Sequence, residues 1–353
     1  MRIGVAMSGG VDSTASALLL REQGYDVIGL HISMHEYSDR SWADVQEIAH
    51  RIKIPIYLVD LRSHFHETVI APFVKEYSLG RTPSPCLICN KFIKMGLLRE
   101  RALTLGCDML ATGHYARVIN AEHGPLLLKG MDPKKDQSYF LAMVPREALR
   151  TLMLPLGRFS KKQAREITER NGINIPYSSD SQELCFIRGQ TYRGYLLAHN
   201  VIPKPGPIID VQGRYLGMHR GIVGFTVGQR RGMGISAPHP LYVISIDPLT
   251  NTVVAGPVEY TFVEGLEVED FNSVLHRPVV VGDTYWAKVR STSKPTLCKI
   301  IAIKGSGLAL RFDKPQRGVA PGQAAVLYTG DQVVGGGWIK ETIRTIVPKN
   351  QIA

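Results

Sequence analysis

A short apolar run, Ile3-Gly4-Val5-Ala6-Met7, opens the chain and gives way to Ser8-Gly9-Gly10-Val11-Asp12-Ser13, after which residues 15–22 turn apolar again and stop near Gly24. The run predicts a buried strand and residues 15–22 a helix, with the serines and glycines in the turn between them. Residues 27–32 repeat the strand pattern, residues 42–52 space Ala43, Ile48 and Ile52 along one helix face, and residues 54–61 form a third apolar run. Alternation of this kind predicts a parallel sheet covered by helices on both faces. Residues 90–105 then predict a long helix stopped by Gly106, and residues 108–112 another buried strand leading into Gly113-His114. In such sheets the carboxyl ends of the strands border the ligand crevice, so Ser8, Met34 and Gly113-His114 are expected around one site. Further on, Ser160-Lys161-Lys162-Gln163 has the spacing of a capping box and predicts a helix to Arg170 that ends at Asn171-Gly172. Its basic side chains are expected on a solvated face.

From Pro203 the texture changes to Pro, Gly and short β-branched runs, among them Tyr242-Val243-Ile244-Ser245-Ile246, Thr252-Val253-Val254-Ala255 and Trp286-Ala287-Lys288-Val289-Arg290. These predict short antiparallel strands joined by turns, with Gly335-Gly336-Gly337 as a hairpin turn. The fold class expected is α/β: a Rossmann-like parallel-sheet domain over 1–200, a small central β-rich domain over 201–270 and a C-terminal β-barrel over 271–353.

Composition narrows this picture. Over 353 residues, 44% hydrophobic and 21% charged content is that of an ordinary soluble globular protein. The net charge of +11 adds a preference, because an excess of that size favours a polyanion whose phosphates it can meet. No apolar run approaches membrane-spanning length and the first strand begins too early for a signal peptide, so a cytoplasmic protein with no membrane partner is expected. The five cysteines, Cys86, Cys89, Cys107, Cys185 and Cys298, are too few and too unevenly spaced for a disulfide framework. Catalysis or metal binding is left for those that cluster.

The first turn carries chemistry of its own. Gly9 and Gly10 let the backbone turn tightly against an anion, the start of the following helix offers N–H groups and a positive dipole end, and Ser8 and Ser13 add hydroxyl donors. The turn is therefore expected to hold phosphate. It is not a Walker A loop, because the required spacing is absent and no lysine follows the glycines. Ser8-Gly9-Gly10-Val11-Asp12-Ser13 resembles the SGGxDS loop of the ATP-pyrophosphatase superfamily, whose members cleave ATP between the α- and β-phosphates to adenylate a carbonyl oxygen.

A second informative stretch is Thr82-Pro83-Ser84-Pro85-Cys86-Leu87-Ile88-Cys89. Its prolines hold the segment extended, which places Cys86 and Cys89 in a loop running into a helix N-terminus, where a thiol pKa is lowered. A single C-x-x-C reads as a redox pair, half of a zinc site, or two ligands of an iron–sulfur cluster. With no second C-x-x-C, structural zinc is disfavoured. Cys185 follows a polar stretch over 177–181 that is expected to fold over the crevice, whereas Cys107 and Cys298 lie at or within apolar strands and are expected to be structural.

Taken in order, SGGVDS over 8–13, GRTPSPCLICNKFIK over 80–94, ATGHYAR over 111–117, KDQSYFL over 135–141, SQELCFI over 181–187 and GFTVGQRRG over 224–232 resemble the motifs of the tRNA-specific 2-thiouridylases, and the resemblance spans most of the chain. It implies ATP-dependent replacement of the C2 oxygen of the wobble uridine of tRNA by sulfur, giving 2-thiouridine, AMP and pyrophosphate. It implies Cys89 as the nucleophile and Cys185 as the persulfide carrier, the two able to form a transient disulfide. By the same matching Ala6, Met7, Ser8, Gly9, Gly10, Val11, Asp12, Ser13, Met34 and Gly113 contact ATP. Ser84, Pro85 and Cys86 lie at the target base, and His114, Lys135, Asp136, Gln137, Arg290, Ser291 and Gln323 lie near the tRNA. Mg2+ accompanies the ATP, and a cysteine desulfurase or sulfur-relay carrier delivers sulfur to a chain expected to be a monomer.

One position departs from the family pattern: many members carry Asp where this chain has Cys86. Cys86, Cys89 and Cys185 together are able to ligate a 4Fe–4S cluster with one iron left open for a hydrosulfide, so persulfide and cluster routes both stand at this point. Two other classes compete. An adenylating ligase or amidotransferase shares SGGxDS but needs neither paired cysteines nor basic β domains, and a non-catalytic RNA-binding module needs no phosphate loop.

Overall fold

The computed structural model describes residues 1–35, 38, 41–176, 184–187 and 189–344. The polar stretch over 177–181 and the first three residues of the SQELCFI motif lie outside the described residues. Strands β1 (Arg2–Ala6), β2 (Asp26–Ser33), β3 (Ile56–Asp60) and β4 (Met109–Ala111) are followed by a hairpin, β5 (Ala116–Ala121) and β6 (Gly124–Lys129), and by a short β7 (Leu152–Met153). β3-β2-β1-β4-β7 form one all-parallel sheet. β2 is buried throughout except at Asp26, since a parallel sheet is covered on both faces: Ile28, Leu30 and Ile32 join one core and Val27 the other.

The helices start where local chemistry, not only apolar spacing, permits. The first runs Val11–Glu22, beginning earlier than the apolar pattern indicates. The Trp42–Arg51 helix buries Val45, Ile48 and Ala49 and leaves Ala43 exposed, because the i, i+3, i+4 stripe begins at Val45. A continuous helix occupies 85–104, with Cys89–Leu98 wound as π-helix. It begins at Pro85, where a missing N–H costs nothing in a helix's first position. Cys86 and Cys89 are thus inside the first turns and not in a loop ahead of them. No described helix is long and apolar enough to cross a membrane.

The central part contains β8 (Gly206–Asp210), β9 (Tyr215–His219), β10 (Tyr242–Asp247) and β11 (Thr252–Gly256), in the order β10-β11-β8-β9. Its strands are not all antiparallel as expected: β8 and β11 run parallel, which the long connection between β9 and β10 makes possible. β12 (Phe262–Ser273), β13 (Thr284–Lys288), β14 (Thr296–Lys304), β15 (Gly307–Arg317), β16 (Ala324–Thr329) and β17 (Gln332–Ile343) close into an antiparallel barrel in the order β12-β15-β14-β13-β16-β17, with β17 pairing back to β12. Gly335-Gly336-Gly337 lie within β17 and are not a hairpin turn. A Cβ at Gly335 would stand 2.2 Å from Asn272 O, and one at Gly337 2.4 Å from Val268 Cγ1, so the glycines let β17 press onto β12 where the barrel shuts. The hairpin β5–β6 extends the barrel's sheet, Leu128 lying opposite Gln332.

Candidate active site

The turn after β1 is tied to itself. Ser8 N–H donates to Ser13 Oγ at 3.1 Å, Ser13 Oγ donates to Gly10 O at 3.1 Å, and the two serine hydroxyls are 3.2 Å apart. Gly9 takes a φ of +79°, which glycine adopts without strain. Gly10 caps the first helix without any side-chain bond, leaving the opening N–H groups for an anion. Met7 and Val11 are core residues, and Ala6 packs partly against the core, so their part in a nucleotide site falls to the backbone. His31 braces the loop from beneath, with Nδ1 2.8 Å from Met7 O and Nε2 2.9 Å from Ser38 O. Met34, half-buried on the rim, donates its N–H to Ser38 Oγ at 2.8 Å.

Asp12, in the first helical turn, is held from two sides. Lys161 Nζ donates to both carboxylate oxygens at 2.8 Å, and Tyr115 OH donates to Oδ1 at 2.7 Å. Gly113 abuts the same residue, since a Cβ there would stand 2.9 Å from Asp12 Cβ. The solvated face expected from sequence is therefore corrected at Lys161, whose side chain is turned onto Asp12 at the turn after β1. The signal was its spacing with buried Ala164 and Thr168, which puts Lys161 on the inward face of the Lys161–Arg170 helix. The neighbouring Lys162 projects outward, with its side chain 86% exposed.

Three of the thiols gather around Lys94. Cys86 and Cys185 are exposed and Cys89 is buried. All three are close enough for the charge on one to bear on the others, and Lys94 lies among them, one π-helical turn after Cys89. Burial pushes the Cys89 thiol up to about 12, with Lys94 opposing and Cys185 and Cys86 adding to the rise. Burial also raises Cys86, with Cys185 adding to the rise and Lys94 opposing it. The lowering expected from a helix start is thus reversed, because desolvation outweighs the dipole. Cys185 opens a short turn, Cys185–Ile187, anchored by its neighbours: the Phe186 ring packs edge-on to Phe73 at 5.2 Å and to Phe65 at 5.8 Å. His114 Nδ1 is 2.8 Å from Thr112 Oγ1, and burial, then the charge of Lys94, hold the imidazole well below its ordinary range and neutral. Among the described residues no group of three or more His, Cys, Asp or Glu side chains is disposed to hold a metal ion.

Several residues expected near the tRNA are engaged by the protein itself. Asp136 accepts the N–H groups of Gly130 and Ser138 at 3.0 Å each. Gln137 and Tyr115 exchange bonds, Gln137 N–H to Tyr115 O at 2.8 Å and Tyr115 N–H to Gln137 Oε1 at 2.9 Å. Arg290 Nη2 donates to Val227 O at 3.1 Å, and Gln323 Nε2 to Thr82 O at 2.8 Å. Lys135 and Ser291 are half-buried, as is Ser84, which precedes a buried Pro85. Two further bonds draw the parts together: Tyr139 OH donates to Ala324 O at 2.9 Å, and Asn90 Nδ2 to Phe140 O at 3.0 Å.

The profile of the tRNA methyl transferase HUP domain matches residues 1–189, that of the tRNA methyl transferase PRC-barrel domain residues 195–257, and that of the aminomethyltransferase beta-barrel domain residues 263–339. The tRNA-specific 2-thiouridylase MnmA of Magnetococcus marinus is 40% identical over 352 residues, covering 96% of this chain and 98% of its own. The chain belongs to the tRNA-specific 2-thiouridylase family. The 2-thiouridylase of Syntrophotalea carbinolica is similar at 41% identity over 345 residues, covering 95% of this chain and 97% of its own. Among solved structures, the U34-tRNA thiolase NcsA from Methanococcus maripaludis with its 4Fe–4S cluster shares 17% identity at a TM-score of 0.35, covering 56% of this chain and 65% of that chain. Membership of the 2-thiouridylase family makes the chain an enzyme of the sulfurtransferase class.

Proposed function

We propose that this enzyme thiolates the wobble uridine of tRNA, adenylating its C2 oxygen with ATP and replacing that oxygen with sulfur carried by Cys185. The observation that carries the reading is the gathering of Cys86, Cys89 and Cys185 around Lys94, whose charge also reaches His114, next in sequence to the Gly113 that abuts Asp12 of the SGGVDS loop. A uracil C2 carbonyl is a weak electrophile with a poor leaving group. Transfer of AMP from ATP to that oxygen, with release of pyrophosphate, corrects both faults. The loop's N–H groups and hydroxyls receive the phosphates. ATP enters as its Mg2+ complex, for which the Asp12 oxygens are donors of the right hardness. The base leaves its stack to reach the crevice, and the net charge of +11 serves the RNA backbone.

The terminal sulfur of a Cys185 persulfide then attacks C2 and AMP leaves. Cys89 attacks Cys185 Sγ, the S–S bond breaks, sulfur stays on C2, and a Cys89–Cys185 disulfide remains for a thiol reductant to reopen. The exposure of Cys185 suits loading by a cysteine desulfurase or relay carrier, and the burial of Cys89 suits an internal resolving step sheltered from oxidants. A cluster route asks Cys86, Cys89 and Cys185 to converge as ligands. The thiols lie near one another without forming such a set, so no step is drawn through a cluster. The test is thiolation by iron-free protein given ATP, tRNA and a persulfide-loaded donor. One 2-thiouridine per AMP is expected, and a requirement for about four bound irons per chain would replace the persulfide route.

A further inference from the structure

The segment that presents Cys86 and Cys89 is short of donors. Pro83 and Pro85 have no N–H groups, so the backbone ahead of the helix cannot pair as a strand, and the carbonyl oxygens of Thr82 and Pro83 need partners from elsewhere. The barrel supplies them. Gln323, just before β16, places Nε2 2.8 Å from Thr82 O and 3.4 Å from Pro83 O, one amide hydrogen for each. Thr82 N–H donates to Pro321 O at 3.0 Å, and from the central part Thr226 Oγ1 lies 3.4 Å from Thr82 Oγ1. Gly322 is pressed so close that a Cβ there would stand 3.1 Å from Thr82 O. Gln323 is itself fixed at both ends of its peptide unit, its N–H donating to Ala320 O at 3.2 Å and its carbonyl accepting Ile339 N–H at 2.8 Å.

We propose that Gln323 is a positioning residue, whose side-chain amide sets the place of the thiol-bearing helix start. An amide that gives both hydrogens to protein carbonyls has no donor left for an RNA phosphate, and holds the Thr82 and Pro83 carbonyls in place instead. The catalytic consequence rests on the thiolation reading above; the clamp itself does not. Gln323→Leu removes both donors with little change of volume. In that variant kcat at saturating tRNA falls about ten- to hundredfold, as displacement of a reacting group entails, while the tRNA Kd measured by filter binding stays within about twofold. Alkylation of buried Cys89 by iodoacetamide, mapped by mass spectrometry without tRNA or ATP, becomes about tenfold faster as the helix start opens. Gln323→Asn, too short to reach the carbonyls, gives the same pattern and stands in if leucine prevents folding. A tRNA Kd weakened about tenfold with Cys89 alkylation unchanged would make Gln323 an RNA contact and overturn the proposal. Unchanged alkylation, affinity and kcat would overturn it equally. Wild-type protein that thiolates no tRNA defeats the functional reading alone, since the alkylation comparison still decides the clamp.

Discussion

Asp12 puts a negative charge where phosphate is expected to bind, and Lys161 and Tyr115 are what make that tolerable. Remove the cation and the loop's positive end faces a carboxylate with its charge uncompensated. Lys161→Met is expected to weaken ATP at least about tenfold by equilibrium binding at low salt, while Lys162→Met changes nothing. Equal affinity in the two variants would show that the ion pair does not shape the nucleotide site. The thiols allow a second comparison at this scale. Under the persulfide route Cys89→Ser and Cys185→Ser abolish 2-thiouridine formation, whereas Cys86→Ala keeps it within about tenfold. A Cys86→Ala enzyme as inactive as the other two would mean that the three sulfurs act together. The loop and all three cysteines were legible as motifs because each is a local string. Lys161 was not, since its role arises from two segments 149 positions apart, and neither was the raised Cys89 thiol, which depends on what covers it.

Elements divide by whether their determinants are local. The Lys161–Arg170 helix was legible because its capping box is contained in four residues: Gln163 N–H donates to Ser160 Oγ at 3.3 Å, and Ser160 N–H to Gln163 Oε1 at 2.8 Å. Ser160→Ala is expected to cost about 1 kcal/mol, read from the urea midpoint. It should also loosen ATP binding, since Lys161 is the helix's first residue; an unshifted midpoint would show that the cap contributes nothing. The glycine triplet of β17 misled for the opposite reason. Three glycines resemble a turn, yet the turn is made at 330–331, Gly330 taking a φ of +57°, and the triplet serves a contact with β12 formed only on closure. Gly335→Ala sets a methyl against a backbone carbonyl that cannot retreat, so a loss of about 2–4 kcal/mol is expected in the same denaturation experiment. A loss under about 0.5 kcal/mol, the range of a surface substitution, would mean that the strands part without cost.

At the scale of the whole molecule, the pieces are bound through the site. The β5–β6 hairpin leaves the parallel sheet beside Tyr115 and meets the barrel, where Arg117 pairs with Asp331 at 2.9 Å and Lys129 Nζ donates to Gly330 O at 2.8 Å. The barrel in turn holds Thr82. What titrates in the barrel core therefore bears on the stability of the assembly. Burial pushes the thiol of Cys298 from its usual 9.0 up to about 12, and burial together with the neighbouring Asp283 carboxylate pushes the phenol of Tyr285 from 10.0 up to about 12. A group whose folded pKa is raised stabilises fully below its unfolded pKa, and that contribution is lost as pH climbs through the folded value. On the acid side His114, held well below 6.5, stabilises fully above that value and loses its contribution as pH falls through its depressed one. Stability is thus expected to be level between about pH 7 and 9 and to decline on both sides, and thermal melts across that range test it. Cys298→Val isolates one group, because it keeps an apolar side chain of similar size in the core and removes a titration. Its Tm should match the wild type near pH 8 and exceed it by an increasing margin toward pH 11, within the window where an exposed thiol ionises and a buried one does not. Parallel decline of the two proteins would show that ionisation of Cys298 is not among the causes of alkaline unfolding.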